Sequence, residues 1–578
     1  MKLTRRGVIG GLASALPGFV WAGLPASAPA LRIGVMTDTH VGKTVGSCER
    51  VRMALELFKE KGAELVINNG DIADHHYPTG YEAYRQVFED VYAGGAKPRE
   101  IYAYAWHDAF GYKGHPRGSE VEDAPEAFED VRRLLRAPHG HTAEIRFKGY
   151  TFLVMPQFTG SKGFLSWAEY EEKVAAACRA NPGKPVFVVD HVPPAATVYD
   201  SIKWGCRRTR QVLDRYPQVI DLSGHVHGSL RNDLFIWQGN FTVVNSGCLN
   251  GWDGLYAGTY RGYDKKEFGV LTIDVCDDRL LVRRWDVRDR TEIDPEHPWI
   301  VPLPFVAATA PYRRETRRAR EPRPVFAADT RVRAEVVVNK SFEGVRVTFA
   351  DTAKGTMLYR ITAARKDAAG GWTDCAMCEC FSEYSLRPQD RKGELAYLLP
   401  EAYFAPSTDY RISVTPLNQY GDAGKPLFAE VQTPAYAVAP VVWSCAEPMK
   451  DLRFVTQSRV PKPYAVGADG FYGPLADGSS RLVLPEAPFR GAPGKYRLIV
   501  DLHTVCDRDD QQLTVKLAPK EGPTPWRAPA AFNGSGDVRS RRSLEFEIGA
   551  DAKPYDLEIW AGHDAHIRFE GLRIEKQG

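Results

Sequence analysis

Five short segments in the first half of this 578-residue chain carry residues able to hold a divalent cation. They are Asp38-Thr39-His40, Gly70-Asp71-Ile72-Ala73-Asp74, Trp106-His107-Asp108, Asp190-His191-Val192-Pro193-Pro194 and Gly224-His225-Val226-His227. Carboxylate oxygens and imidazole nitrogens together suit transition metals of borderline hardness, such as zinc, manganese or iron. Any one fragment is weak, since a lone histidine is more often a packed or surface residue than a ligand. Five in succession, each at the end of an apolar run, point to one polar centre. Gly70 and Gly224 would permit tight turns beside it.

Such side chains need elements that end next to one another. Apolar, β-branched runs at Leu31–Met36, 64–68, 101–104, 151–155, Val186–Val189 and 219–222 read as strands. Residues 48–61, with Val51, Leu55 and Phe58 on one face, and residues 166–179 read as helices. The alternation predicts an α/β layered domain over residues 31–300, and parallel strands collect function at their ends. In residues 301–325, Arg313, Arg314, Arg317, Arg318, Arg320 and Arg323 read as a solvated Pro/Arg-rich linker, or as a patch for anions. Helical patterns then stop. Residues 326–434 contain strand-like runs at 336–338, 345–349 and 357–362, and residues 435–578 contain others at 496–502, 512–517, 543–548 and 567–574. Two all-β sandwich domains are expected there, the second of jelly-roll type.

The order of Asp-x-His, Gly-Asp-x-x-Asp, His-x-Pro and Gly-His-x-His elements resembles the calcineurin-like metallophosphoesterase family, over about residues 31–250. The resemblance implies a four-layer β-sandwich flanked by helices and a centre of two divalent metal ions. Asp38, His40 and His227 would bind the first ion, Asp71 would bridge both, and His191 and His225 would hold the second. It further implies that metal-bound hydroxide attacks phosphorus while His107 assists as a general acid, with Asp108 either orienting His107 or serving as a local cap. Asn245-Ser246-Gly247 is similar to the family's short segment after the paired histidines. One position departs. The family's third motif carries an Asn that ligates the second ion, and Trp106 stands there instead; its only polar atom is a donor, so the second site loses a ligand. The end of residues 326–434, Tyr410 through Asn418-Gln419-Tyr420-Gly421, is similar to the late strands of a fibronectin type III domain.

Lys plus Arg number 75 against 73 Asp plus Glu, a net charge of +2, which gives no support for a nucleic-acid surface. At the N-terminus, Arg5-Arg6 precedes a Gly- and Ala-rich apolar run over residues 10–22. That run is short for a bilayer span and is similar to a twin-arginine export signal occupying residues 1–30. The expected protein is therefore periplasmic or extracellular, reaches there through the twin-arginine machinery, and is not transmembrane after signal removal. Among the 10 cysteines only Cys375, Cys378 and Cys380 cluster; a local disulfide or buried thiols fit an oxidising compartment better than zinc. The expected substrate is a phosphomonoester or phosphodiester, with a glycoconjugate or envelope polymer suggested by the β domains. The alternative is a metal- or glycan-binding protein that retains the fold without turnover.

Overall fold

The structure, a computed structural model, describes residues 28–577 apart from 43–45, 113–124, 251–267, 339–341, 352–353, 446–452, 456–460, 464–479, 490–492, 507–511, 520–529, 534–535, 549–554 and 562–565. The export signal expected over residues 1–30 therefore lies almost wholly outside the described residues. Among those described, no helix is long and apolar enough to cross a membrane.

The first domain begins β1 (Leu31–Met36), α1 (Ser47–Glu60), β2 (Leu65–Asn68), α2 (Pro78–Val91), β3 (Arg99–Tyr102), α3 (Trp106–Ala109), α4 (Pro125–Leu135), β4 (Ala143–Phe147) and β5 (Tyr150–Val154). It continues α5 (Trp167–Ala180), β6 (Val186–Val189), α6 (Ser201–Trp204), α7 (Arg207–Leu213), β7 (Val219–Ser223), β8 (Ile236–Gln238) and β9 (Thr242–Asn245). It closes with β10 (Gly269–Val275), β11 (Arg279–Asp286), β12 (Thr291–Ile293) and β13 (Trp299–Pro302). One sheet runs β12-β11-β10-β1-β2-β3 with β13 on β11, and the other runs β4-β5-β6-β7-β9-β8. Strands β1, β2 and β3 are parallel, as are β5, β6, β7 and β9, so the motif-bearing ends of each sheet share an edge.

Alternation along the strands builds the layers. Ile33, Val35, Leu65, Ile67 and Ile101 of the first sheet meet Phe152, Val154, Phe187, Val189, Ile220 and Leu222 of the second in one core. The opposite faces are covered by helices. Val51, Leu55 and Phe58 of α1, with α2 and α4, pack on the first sheet, while Tyr170 and Val174 of α5 and Val212 and Leu213 of α7 pack on the second. This is the expected four-layer metallophosphoesterase α/β arrangement. Helix α5 starts where its capping signal lies: Ser166 Oγ accepts from Glu169 N, and Glu169 Oε2 accepts from Ser166 N.

The Arg-rich passage is more ordered than a solvated linker. Tyr312 exchanges hydrogen bonds with Gln238 of β8 through its backbone N–H and C=O, and a helix α8 (Arg314–Arg320) follows. Arg317 donates to the carbonyls of Ile236 and Asp233, and Arg318 pairs with Asp422 at 2.7 Å. Beyond it, β14 (Val332–Val338), β15 (Phe342–Ala350), β16 (Leu358–Lys366), β17 (Trp372–Phe381), β18 (Glu394–Pro400), β19 (Asp409–Leu417) and β20 (Leu427–Gln432) form sheets β14-β15-β18 and β17-β16-β19-β20. Cys375 and Cys380 lie on β17, where the Cys375 thiol donates to the Ala363 carbonyl at 3.1 Å. The last region forms a four-stranded and a six-stranded antiparallel sheet. The first of these regions closes its two sheets on one core, and the second is all-β, consistent with the sandwiches expected.

Packing of α1 on the first sheet leaves no room at Gly34, where a Cβ would lie 2.5–2.8 Å from the Phe58 ring. Gly34→Ala is expected to overpack this seam and cost about 1–3 kcal/mol, read as a lower urea midpoint at unchanged slope.

Candidate metal centre

The parallel strands end at the seam between the sheets, and the residues following them adopt an unusual backbone. Asp38, His40, Asp71, His225 and His227 have φ of 51, 39, 49, 75 and 43°, in the left-handed region that non-glycine residues rarely enter. Five strained positions clustered on one edge mark a site where side-chain placement outweighs local cost. Gly224 is required by close approach, since a Cβ there would collide with Thr37 Oγ1 and lie 2.8 Å from Asp38 Oδ2.

Two donor groups that share Asp71 result, beside a third made of His40, Asp74 and His107. Asp38, His40, Asp71 and His227 offer ligand atoms within 4.8 Å of one another, and so do Asp71, His191 and His225. Asp71 is common to both. Within the first, His227 Nε2 lies 2.8 Å from Asp38 Oδ1 and 3.2 Å from His40 Nε2, while His40 Nε2 is 3.8 Å from Asp71 Oδ2. Within the second, His191 Nε2 lies 3.2 Å from Asp71 Oδ2. The structure thus brings together the six residues that the family resemblance assigns to metals.

Polar bookkeeping around His191 tests whether a cation fits. Its Nδ1 is 2.9 Å from the Asn69 carbonyl, an acceptor, so Nδ1 carries the proton. In neutral imidazole Nε2 is then a lone pair, fully buried, without a hydrogen-bond donor and aimed at a carboxylate. Two acceptors facing each other in a dry site require a proton or a cation between them. Without metal, a proton takes that place. Burial opposes charging His191, but the Asp71 and Asp38 carboxylates outweigh it and raise its pKa to about 9. His225 goes the other way, since burial and then the charge on His191 push it down to about 3. Burial also works against charged Asp38 and Asp71, yet the neighbouring imidazoles, His227 and His191 foremost, hold both well below the usual carboxylate range.

His107 stands beside this centre. Its backbone N–H donates to Asp71 Oδ1 at 3.1 Å, and its Nδ1 donates to the Asp74 carbonyl at 2.8 Å. Its ring meets that of His40 edge-on at 4.7 Å, leaving Nε2 as the nitrogen able to serve a substrate. Asp108 does something else. Its carboxylate accepts from Ile72 N, Ala73 N and Ala105 N at 3.0–3.2 Å, and Tyr81 Oη reaches it at 3.2 Å. Burial, with the Asp71 charge adding, raises its pKa to about 7. Those bonds tie the second and third motifs together. The expectation that Asp108 orients His107 gives way to its alternative as a cap, because its oxygens are spent on backbone donors.

The carboxylate that does approach the imidazoles is Asp74, which sequence reasoning quoted within its motif and gave no role. Asp74 Oδ1 lies 3.5 Å from both His40 Nδ1 and His107 Nδ1, and Oδ2 lies 2.9 Å from His75 Nδ1. A carboxylate behind a ligand imidazole fixes its ring and raises its basicity. The second acid of Gly-Asp-x-x-Asp was the available signal. Asn245 anchors β9 by donating from Nδ2 to the Gly224 carbonyl at 2.6 Å, and Ser246 Oγ accepts from Asn69 Nδ2.

Residues 31–229 match the model of the calcineurin-like phosphoesterase family, so the chain carries a domain of that family. No curated protein matches the chain. Among solved structures it is similar to a dimetal phosphatase from Danio rerio, with 11% identity over 46% of this chain and 99% of that one, at a TM-score of 0.28. It is similar to a purple acid phosphatase from yellow lupin (Lupinus luteus) seeds, with 14% identity over 46% and 53% of the two chains and a TM-score of 0.31. It is also similar to a carbohydrate-binding module from Cellvibrio mixtus lichenase 5A, with 15% identity over 18% and 76% and a TM-score of 0.15.

The raised pKa of His191 gives a signed expectation. Its folded value of about 9 exceeds the unfolded 6.5, so the stability it lends the metal-free protein is present below pH 6.5 and lost as pH rises through 9. The melting temperature of metal-free protein should therefore fall across that window, whereas saturating divalent metal should remove the fall by replacing the proton. Asp74→Asn should weaken metal binding by about 10- to 100-fold, measured by titration calorimetry, by loosening His40.

Proposed function

We propose that this protein is an exported metal-dependent hydrolase of phosphomonoesters or phosphodiesters. The observation that carries the reading is the pair of donor sets sharing Asp71, with the buried His191 Nε2 facing Asp71 Oδ2 at 3.2 Å as though across a cation. The family match over residues 31–229 supports the reaction class. Asp38, His40 and His227 would hold one divalent ion, His191 and His225 the other, and Asp71 would touch both. Zinc, manganese or iron fits this oxygen-and-nitrogen donor set. Bound there, such ions supply Lewis acidity toward phosphoryl oxygens and lower the pKa of a coordinated water.

The chain's own groups do the rest. Burial of the ligands removes competing water and strengthens their field on a phosphoryl group. With its Nδ1–H given to the Asp74 carbonyl, His107 turns Nε2 to the site, and as the imidazolium it would donate the Nε2 proton to the departing alkoxide oxygen. Asp74 positions His40, and Asp108 keeps the His107 turn against the Asp71 turn. Export is supported by Arg5-Arg6 ahead of the Gly- and Ala-rich run, which places substrates among phosphoesters outside the cytoplasm, glycoconjugates and envelope polymers included.

The test is metal content together with hydrolysis of p-nitrophenyl phosphate and bis(p-nitrophenyl) phosphate. Near two metals per chain, turnover lost in Asp71→Asn, and a kcat lower by about 100- to 10,000-fold in His107→Ala are expected. Absence of turnover in added zinc, manganese or iron would leave the non-catalytic metal- or glycan-binding reading in its place.

A further inference from the structure

The second donor set is one ligand short. Asp71, His191 and His225 supply three donors, and Trp106 has none to add. Its indole packs at 5.6 Å on Phe110 and 6.4 Å on Phe158.

Another side chain brings an oxygen to the same turn. Gln157 follows β5, and its Oε1 accepts from the backbone N–H of Trp106 at 2.9 Å. The next N–H along the chain, that of His107, donates to Asp71 Oδ1 at 3.1 Å. Successive N–H groups in the opening turn of a helix point the same way, so the acceptors they hold are neighbours. That puts the Gln157 amide oxygen beside the carboxylate both donor sets share. The same backbone also abuts the second set: a Cβ on Gly70 would lie 2.9 Å from Ala105 Cβ and equally 2.9 Å from His191 Nδ1. Topology agrees, because β5 pairs in parallel with β6, and residue 157 leaves β5 at the edge where His191 leaves β6. An amide oxygen has two lone pairs, of which Trp106 N–H takes one.

We propose that Gln157 Oε1 is the neutral oxygen ligand of the second cation, standing in for the amide oxygen that Trp106 displaced. Amide replaces amide, so the charge of the ligand set is unchanged; only the strand that delivers it differs. The inference rests on the two-metal reading, and the experiment separates the two. Metal-free protein is titrated with manganese, by calorimetry and by paramagnetic resonance of bound ion, for wild type, Gln157→Leu and Gln157→Glu, with thermal melts to verify folding.

Two sites are expected in wild type. Gln157→Leu should keep the first and weaken the second by at least about 10- to 100-fold, while Gln157→Glu, which adds a charged oxygen, should bind the second more tightly. Adding Trp106→Asn to Gln157→Leu should restore the second site. Two sites of wild-type affinity in folded Gln157→Leu would overturn the assignment and leave Gln157 as a cap of α3. Should the Leu variant not fold, Gln157→Glu decides: a second site no tighter than wild type overturns the assignment. Fewer than two sites in wild type would remove the two-metal reading itself, and the assignment with it.

Discussion

Two carboxylates, Asp38 and Asp71, are buried in the seam between the sheets, and their mutual repulsion is the constraint around which the domain is arranged. An uncompensated charge at such depth costs several kcal/mol even after relaxation. Compensation must come from imidazolium or from metal cations, and four histidines are within reach of the pair. The opposite shifts of His191 and His225 follow from this. Having taken the proton that balances the carboxylates, His191 leaves its neighbour in a site where a second positive charge is repelled. A proton and a cation are alternative occupants of one electrostatic well.

Neither sheet can form that well alone. The first sheet supplies Asp38, His40, Asp71 and His107, and the second supplies His191, His225 and His227. The distances between ligand atoms are therefore set by the core that fixes one sheet against the other, in which Ile33, Val35, Leu222 and Val244 are buried. Strain is distributed in the same way. The left-handed residues Asp38, His40 and Asp71 fall on one sheet, and His225 and His227 on the other. Holding them costs on the order of 1–3 kcal/mol each, which only a rigid double layer can sustain.

Much of this is legible in the sequence because the rules involved are local. Apolar runs ending in Asp or His define both the strands and the ligands, so the element order and the six-residue donor set follow from pattern and family likeness. Legibility fails where partners come from elsewhere in the fold. Asp74 meets His40, distant by 34 positions and signalled only as the second acid of its motif, and Gln157 meets Trp106, distant by 51, with nothing in its local sequence to announce the contact. Asp108 illustrates the reverse error. Adjacency to His107 suggested partnership, whereas its carboxylate is turned to the backbone of residues 72, 73 and 105. The arginine-rich passage looked solvated because charge dominates its composition; its partners, the carbonyls of Asp233 and Ile236 and the carboxylate of Asp422, lie far off in sequence.

Those partners show how the β-sandwiches bear on the metal centre. The chain leaving His227 runs through Leu230, Asn232 and Leu234, and this stretch is gripped from several sides. Buried Arg284 donates to the Leu230 carbonyl and Asp233 Oδ1, Arg317 reaches the Asp233 carbonyl, and Trp299 Nε1 also reaches Asp233 Oδ1. From the following sandwich, Met357, Leu417 and Tyr420 join the cluster that buries Leu230 and Leu234. The segment carrying His225 and His227 of the two donor sets thus leads directly into the interdomain seam. Removing the sandwich would expose the apolar side of that segment and free the turn that strains His225 and His227 into place. The domain boundary is therefore part of the support for the metal site, and a sandwich placed there has a structural reason to exist whatever its outer surface binds.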